Sequence, residues 1–249
     1  MSRKLASAGL MLSLVAGTAA ASSEINLGIS SEYVFRGVPQ SDGAQVWASL
    51  DYSFDSIGAY VGGWVSNAGF TGWVAESGNA GNEEVDLYAG YAMRLADTLS
   101  LDIGGIGYFD PSAGEADDGV NRSEAYLGLN WGRLNTYAYY GFGTTLADED
   151  EYAYVEANYE FDLLADAYLR VNAGYFLGTG DYYEQFADDD YAHYGLSFIK
   201  DYGMAGQVAM AITGTTIGVS HGLTALNPVL ESERPQFTVG WSRSFGAAF

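Results

Sequence analysis

The stretch Glu24–Val38, EINLGISSEYVFRGV, decides the fold class. Its odd positions are Ile25, Leu27, Ile29, Ser31, Tyr33 and Phe35, and its even positions are Asn26, Gly28, Ser30, Glu32, Val34 and Arg36. Successive side chains of a strand point to opposite faces. The stretch therefore reads as one strand with an apolar face ending in two aromatics and a small, polar or charged face. A soluble sandwich strand has the same pattern. Repetition separates the two, because about ten further segments show this alternation with aromatics at their ends.

Residues 44–54 set Val46, Ala48, Leu50, Tyr52 and Phe54 against Gln45, Ser49 and Asp51. Residues 59–67 are apolar on both faces, so their parity stays open. Residues 84–95 place Val85, Leu87, Ala89, Tyr91 and Met93 opposite Glu84, Asp86, Gly90 and Arg94. Further strands are expected at 99–109, 122–131, 134–144, 152–161, around 169–175, 191–200, 204–219 and from about Phe237 onward.

The connections alternate long and short. That is the layout of a closed antiparallel transmembrane β-barrel with short periplasmic turns and long outer loops. About twelve strands are expected, with ten or fourteen as alternatives, because 59–67 and 204–219 can be cut differently. Tyr33, Phe35, Phe109, Tyr140, Phe142, Tyr175 and Phe237 fall near loop ends. Tyr52, Phe54, Tyr91, Trp131, Tyr159, Phe161, Phe198 and Phe245 fall near turn ends. Two aromatic girdles around an aliphatic band are expected of a lipid-facing wall.

Ser31-Glu32-Tyr33-Val34-Phe35-Arg36-Gly37, followed by Gln40-Ser41, resembles the opening motif of the TorF-type porin family of proteobacteria. The resemblance continues through Gly58–Asn67, Glu84–Tyr91 and Gly107-Tyr108-Phe109, and fades from about Asn121. It implies an outer-membrane barrel and leaves the transported substrate unnamed.

Residues 1–21 read as a secretory signal peptide: Arg3 and Lys4, an apolar run from Leu5 to Val15, then Ala19-Ala20-Ala21. Residues 22–249 then form a single barrel domain. With 33 Gly, 20 Tyr and no Cys, the chain has the composition of a barrel and cannot form disulfides or thiolate metal sites. Its formal net charge is −22, and loss of Arg3 and Lys4 would make it more acidic still. Nucleic-acid binding is excluded as a function class, since it needs Lys and Arg against phosphate. Cations should be attracted instead.

Parity assigns Glu32, Arg36, Asp51, Asp86, Arg94, Asp102, Glu124, Glu156, Glu160 and Arg170 to the lumen. Two readings stand side by side: salt bridges that stiffen a narrow barrel, or a charged lining that selects ions by sign. The expected function is an outer-membrane channel for passive diffusion of small ions or solutes, cation-preferring if open. The alternatives are a barrel enzyme of lipase, acylase or protease type, and a closed structural or adhesive barrel acting through its loops. The acidic runs Asp117-Asp118, Asp148–Glu151 and Asp188–Asp190 lack calcium-loop spacing. His193 and His221 are the two histidines, and no Gly-x-Ser-x-Gly accompanies them. No catalytic residue, metal or cofactor is assigned. The partners expected are outer-membrane lipid and, through the C-terminal strand Trp241–Phe245, the barrel-assembly machinery. Phe245 is preferred over Phe249 as the terminal aromatic, because Arg243 then lies at the membrane interface.

Overall fold

The computed structural model describes residues 21–41, 43–68, 83–111, 121–143, 151–163, 166–178, 190–216 and 235–248. Its elements in chain order are β1 (Ser22–Ser30), β2 (Val34–Phe35), β3 (Val38–Pro39), β4 (Gln45–Phe54), β5 (Ala59–Ser66), β6 (Glu84–Ala96) and β7 (Leu99–Phe109). They continue with β8 (Arg122–Trp131), β9 (Leu134–Gly143), β10 (Tyr152–Asp162), β11 (Ala167–Gly178), β12 (Tyr191–Asp201), β13 (Gln207–Thr215) and β14 (Gln236–Ala248). All except β2 and β3 form one closed barrel of twelve antiparallel strands, each beside its sequence neighbours. β1 seals the ring against β14, with Ile29 opposite Trp241 and Ile25 opposite Phe245. Closure leaves no sheet edge, as a spanning sheet requires.

The outer face is apolar. Ile25, Leu27, Leu50, Leu87, Ile103, Leu127 and Val171 are all exposed on it. A continuous apolar belt of this kind suits lipid rather than water. The open parity of β5 resolves with Val61 and Val65 outward and Tyr60 and Ser66 buried inside. Phe109, Tyr140, Phe142, Trp131 and Phe161 are exposed on the outer face near strand ends, as the girdles require.

The first strand departs from expectation. It leaves the wall after Ser30 instead of running to Val38. Residues 34–39 fold back as the small hairpin β2–β3, paired at Val34–Pro39 and Phe35–Val38. Arg36 (φ 49°) and Gly37 (φ 85°) form its two-residue turn. Left-handed turn residues match the natural twist of a hairpin. Tyr33 and Phe35 consequently do not join the outer girdle. Tyr33 is only 6% exposed and packs on Trp64 at 5.7 Å, while Phe35 meets Tyr108 edge-on at 6.0 Å. The strand expected at 204–219 also starts later, at Gln207, after a 3-10 turn at Gly203–Ala205; residues 217–219 lie outside the described residues.

The interior explains the composition. Tyr60 lies opposite Gly90, Tyr126 opposite Gly104 and Tyr137 opposite Gly128 on neighbouring strands. A Cβ on Gly90 would stand 2.3 Å from the Tyr60 hydroxyl oxygen, and one on Gly104 would stand 2.3 Å from that of Tyr126. Each ring thus lies flat across the neighbouring strand, where any side chain would displace it. These rings fill the lumen beside β5–β9.

Candidate functional site

The hairpin crosses the lumen from β1. At its tip, a Cβ on Gly37 would stand 2.3 Å from Cβ of His193 on β12, so glycine permits the close approach. Arg36 points toward β8. Its Nη1 and Nη2 donate to Oε1 and Oε2 of Glu124 at 2.6 and 2.8 Å, a bidentate pair. The Arg36 and Glu124 side chains are 7% and 0% exposed. The guanidinium also lies over the rings of Tyr154 (4.0 Å), Tyr139 (4.7 Å) and Phe35 (4.8 Å). Glu124 accepts further hydrogen bonds from the hydroxyls of Tyr108, at 2.9 Å, and Tyr152. A left-handed backbone costs a non-glycine residue roughly 1–2 kcal/mol. The contacts of the Arg36 side chain are what hold it there.

A second polar layer lies on the turn side of this pair. Asp102 accepts from Tyr60 at 2.6 Å and from Tyr137 at 3.0 Å, and Tyr60 is hydrogen-bonded to Tyr126. Asp51 accepts from Tyr88 and, at 3.1 Å, from Asn26. Arg170 donates to Glu160 at 2.8 and 2.9 Å on the neighbouring strand. Toward the loops, Glu84, Asp86 and Arg122 are buried, with Arg122 within electrostatic reach of both acids.

The structure therefore brings Arg36, Glu124 and Glu156 into one cluster, and sets Asp51 and Asp102 in the tyrosine layer below it. Asp86, Glu160 and Arg170 also face inward, and Glu32 lines the cavity beside the hairpin. Arg94 is a correction. It keeps inward parity, but its side chain is 59% exposed at the turn-side rim and donates to Asp97 at 3.2 Å. A register shift between Arg94 and Ala96 ends the regular ladder there. Arg243, at the C-terminal strand, stacks over Phe245 at 4.4 Å, while β14 runs on to Ala248.

Parity of single strands did not single out Arg122, Glu84 or the lumen tyrosines as site residues. For the tyrosines a signal was present, since Tyr and Gly fall on the inward positions of adjacent strands. His193 is buried with Nε2 2.6 Å from the Tyr154 hydroxyl, beneath the hairpin tip. His221, Asp117-Asp118, Asp148–Asp150 and Asp188-Asp189 lie outside the described residues, as do residues 1–20. Among the described residues, no group of three His, Cys, Asp or Glu is placed to hold a metal ion.

Between the hairpin and the turn-side rim lies a cavity of about 570 Å³. It reaches from Phe35 and Arg36 down to Ser22, Asp55 and Gly246. One wall is the tyrosine layer. The other is small and polar, with Asn26, Ser49, Asn172, Ser197, Thr213 and Thr238. The lumen is thus asymmetric: filled by rings on one side and open along small residues on the other.

A closed antiparallel barrel with an apolar outer belt and a polar interior is the architecture of outer-membrane barrels, and solved porin structures share the fold. The KdgM porin superposes with a TM-score of 0.56 at 13% identity, covering 89% of this chain and 99% of that one. The NanC porin gives 0.56 at 11%, covering 91% and 99%. An outer membrane channel from Pseudomonas putida F1 gives 0.53 at 10%, covering 94% and 97%. At these identities the likeness is one of fold. The chain belongs to Gcw_chp, a bacterial protein family of unknown function whose model matches residues 16–245. No curated protein matches it in sequence.

Proposed function

We propose that the protein is an outer-membrane channel for passive diffusion of small solutes, exported with removal of residues 1–21 and preferring cations. The observation that carries the reading is the cavity running along the small, polar wall from the hairpin to the turn-side rim. The porin fold of its structural neighbours and the TorF-type motif around Arg36 support it. An apolar outer belt supports insertion in lipid, and the outward aromatics Trp241 and Phe245 of β14 suit delivery by the barrel-assembly machinery.

Cation preference follows from the balance of charge inside. Arg36 is neutralised by Glu124 and Arg170 by Glu160. Asp51, Asp102 and Glu156 add negative charge beyond those pairs, and each borders the cavity. Rings of one sign in a narrow pore select counter-ions.

Planar-bilayer recording tests both parts. Single channels should appear, and reversal potentials across a potassium chloride gradient should show cation selectivity, retained or raised in Arg36→Ala. Absence of channels in wild type and Arg36→Ala alike would favour the closed barrel acting through its loops. Anion selectivity in wild type would show that the arginines set the sign.

A further inference from the structure

The Arg36 guanidinium occupies a cage that suits a guanidinium from any source. Its walls are the faces of Tyr154 and Tyr139, at 4.0 and 4.7 Å, and its floor is the fork of Glu124. Aromatic faces and a bidentate carboxylate are the two contacts that a planar cation of this kind uses best. Glu156 adds a second carboxylate beside them: it accepts from the Tyr154 hydroxyl at 3.1 Å and lies within electrostatic reach of Arg36.

Receptor and occupant are built differently. The cage stands on β8, β9 and β10, which pair side by side in continuous register, with Tyr126 opposite Tyr139 and Tyr139 opposite Tyr154. The occupant stands on a hairpin whose strands pair at only two positions, held in a left-handed turn. A rigid wall site is filled by a tethered side chain. Without that side chain, Glu124 would keep its tyrosine donors and the field of Arg122 but lose its bidentate cation, an unfavourable state for a buried carboxylate that an entering guanidinium relieves.

We infer that this cage is a binding site for guanidinium-bearing solutes, closed at rest by Arg36, and that such a solute enters by displacing Arg36 and freeing the hairpin. The inference rests on the channel reading for its route of access and names the solute class for the same lumen. The exchange is non-covalent, one guanidinium for another, so its balance depends on the concentration of the competitor.

The test uses the detergent-purified barrel and calorimetric titration with methylguanidinium chloride, with sodium chloride as control. Methylguanidinium with Arg36→Ala restores the missing group. Arg36→Ala should bind it at least about tenfold more tightly than wild type, a difference of one decade in Kd. Adding Glu124→Gln to Arg36→Ala should abolish that gain. Binding by Arg36→Ala no tighter than by wild type, or a gain that survives Glu124→Gln, overturns the inference.

Should Arg36→Ala fail to fold, judged by heat-modifiable migration, Arg36→Lys carries the test. Lysine keeps the charge but not the fork, so methylguanidinium should again bind more tightly than to wild type; equal binding overturns the inference. Conductance of the same preparations separates the two claims. Tighter binding without channels keeps the site and removes the channel reading. Channels without the gain in binding remove the site and keep the channel reading.

Discussion

Arg36 and Glu124, 88 residues apart in the chain, are joined across the lumen by two hydrogen bonds of 2.6 and 2.8 Å. Neither residue reaches the other through neighbours in sequence. The pair ties the small hairpin β2–β3 to the far wall, so it decides how much of the lumen remains for solute. The pair sits in the barrel interior, yet one partner is carried on a loop. Breaking it should therefore move the hairpin before it unfolds the barrel.

Glu124→Gln should leave the barrel folded and free the hairpin. Hydrogen bonds to a charged group contribute roughly 1.5–3 kcal/mol, which corresponds to about ten- to hundredfold in an opening equilibrium. Amide hydrogen exchange over residues 33–40 should accelerate by that factor, including the Gln40 amide that donates to the Tyr33 carbonyl at 2.7 Å. Exchange in β7 and β11 should stay as in wild type. Uniform acceleration around the whole barrel would show that the pair supports the wall instead.

Gly37→Val attacks the same seat from the other side. Gly37 combines φ 85° with a contact in which an added Cβ would stand 2.3 Å from Cβ of His193. A β-branched residue meets both the steric wall and the backbone penalty. The hairpin should lose its place against β12, and single-channel conductance should rise above that of wild type. Unchanged conductance would mean that the hairpin does not limit flow.

Tyr60→Phe and Tyr137→Phe each remove one donor from Asp102, to which these hydroxyls donate at 2.6 and 3.0 Å. Each should lower stability by roughly 1.5–3 kcal/mol, the usual worth of a hydrogen bond to a charged group. Urea unfolding from lipid vesicles measures it. The two losses should not add, since both hydroxyls serve one carboxylate. A neutral Tyr60→Phe would show that water replaces the donor.

Leu127→Arg tests the outer face. Leu127 sits mid-strand on β8, opposite Ile103 and Ala138, and is 50% exposed where lipid would cover it. An arginine there should cost about 2–4 kcal/mol, the value for a charge near the bilayer midplane. Reversible unfolding in vesicles reads the cost directly. A cost near zero would place that face in water and remove the membrane assignment.

Strand parity carried much of the architecture. Residues 99–109 and 122–131 are strands with the bounds expected from alternation alone, and Asp102 and Glu124 point inward as their parity requires. This works because a wall with lipid on one side and a polar lumen on the other imposes the same two-residue period on every strand. Parity held at Arg94 but did not make it a lining residue, because the regular ladder ends there in a register shift and the side chain turns onto Asp97 at the rim. It left β5 open because both faces carry apolar residues, Tyr60 and Trp64 on one and Val61 and Val65 on the other.

Local alternation and composition were enough for the wall, its approximate number of strands and the excess of acidic over basic residues, since each is set locally or by summation. The closed ring settles the course of Tyr33–Val38. Its alternation equals that of a wall strand, although Gly37 after Arg36 is a turn signal within it. Whether it continues along the wall or folds inward depends on Glu124, Tyr139 and Tyr154, which come close only when the ring closes. The buried pairing of Arg36 is a long-range electrostatic choice, and no local period records it.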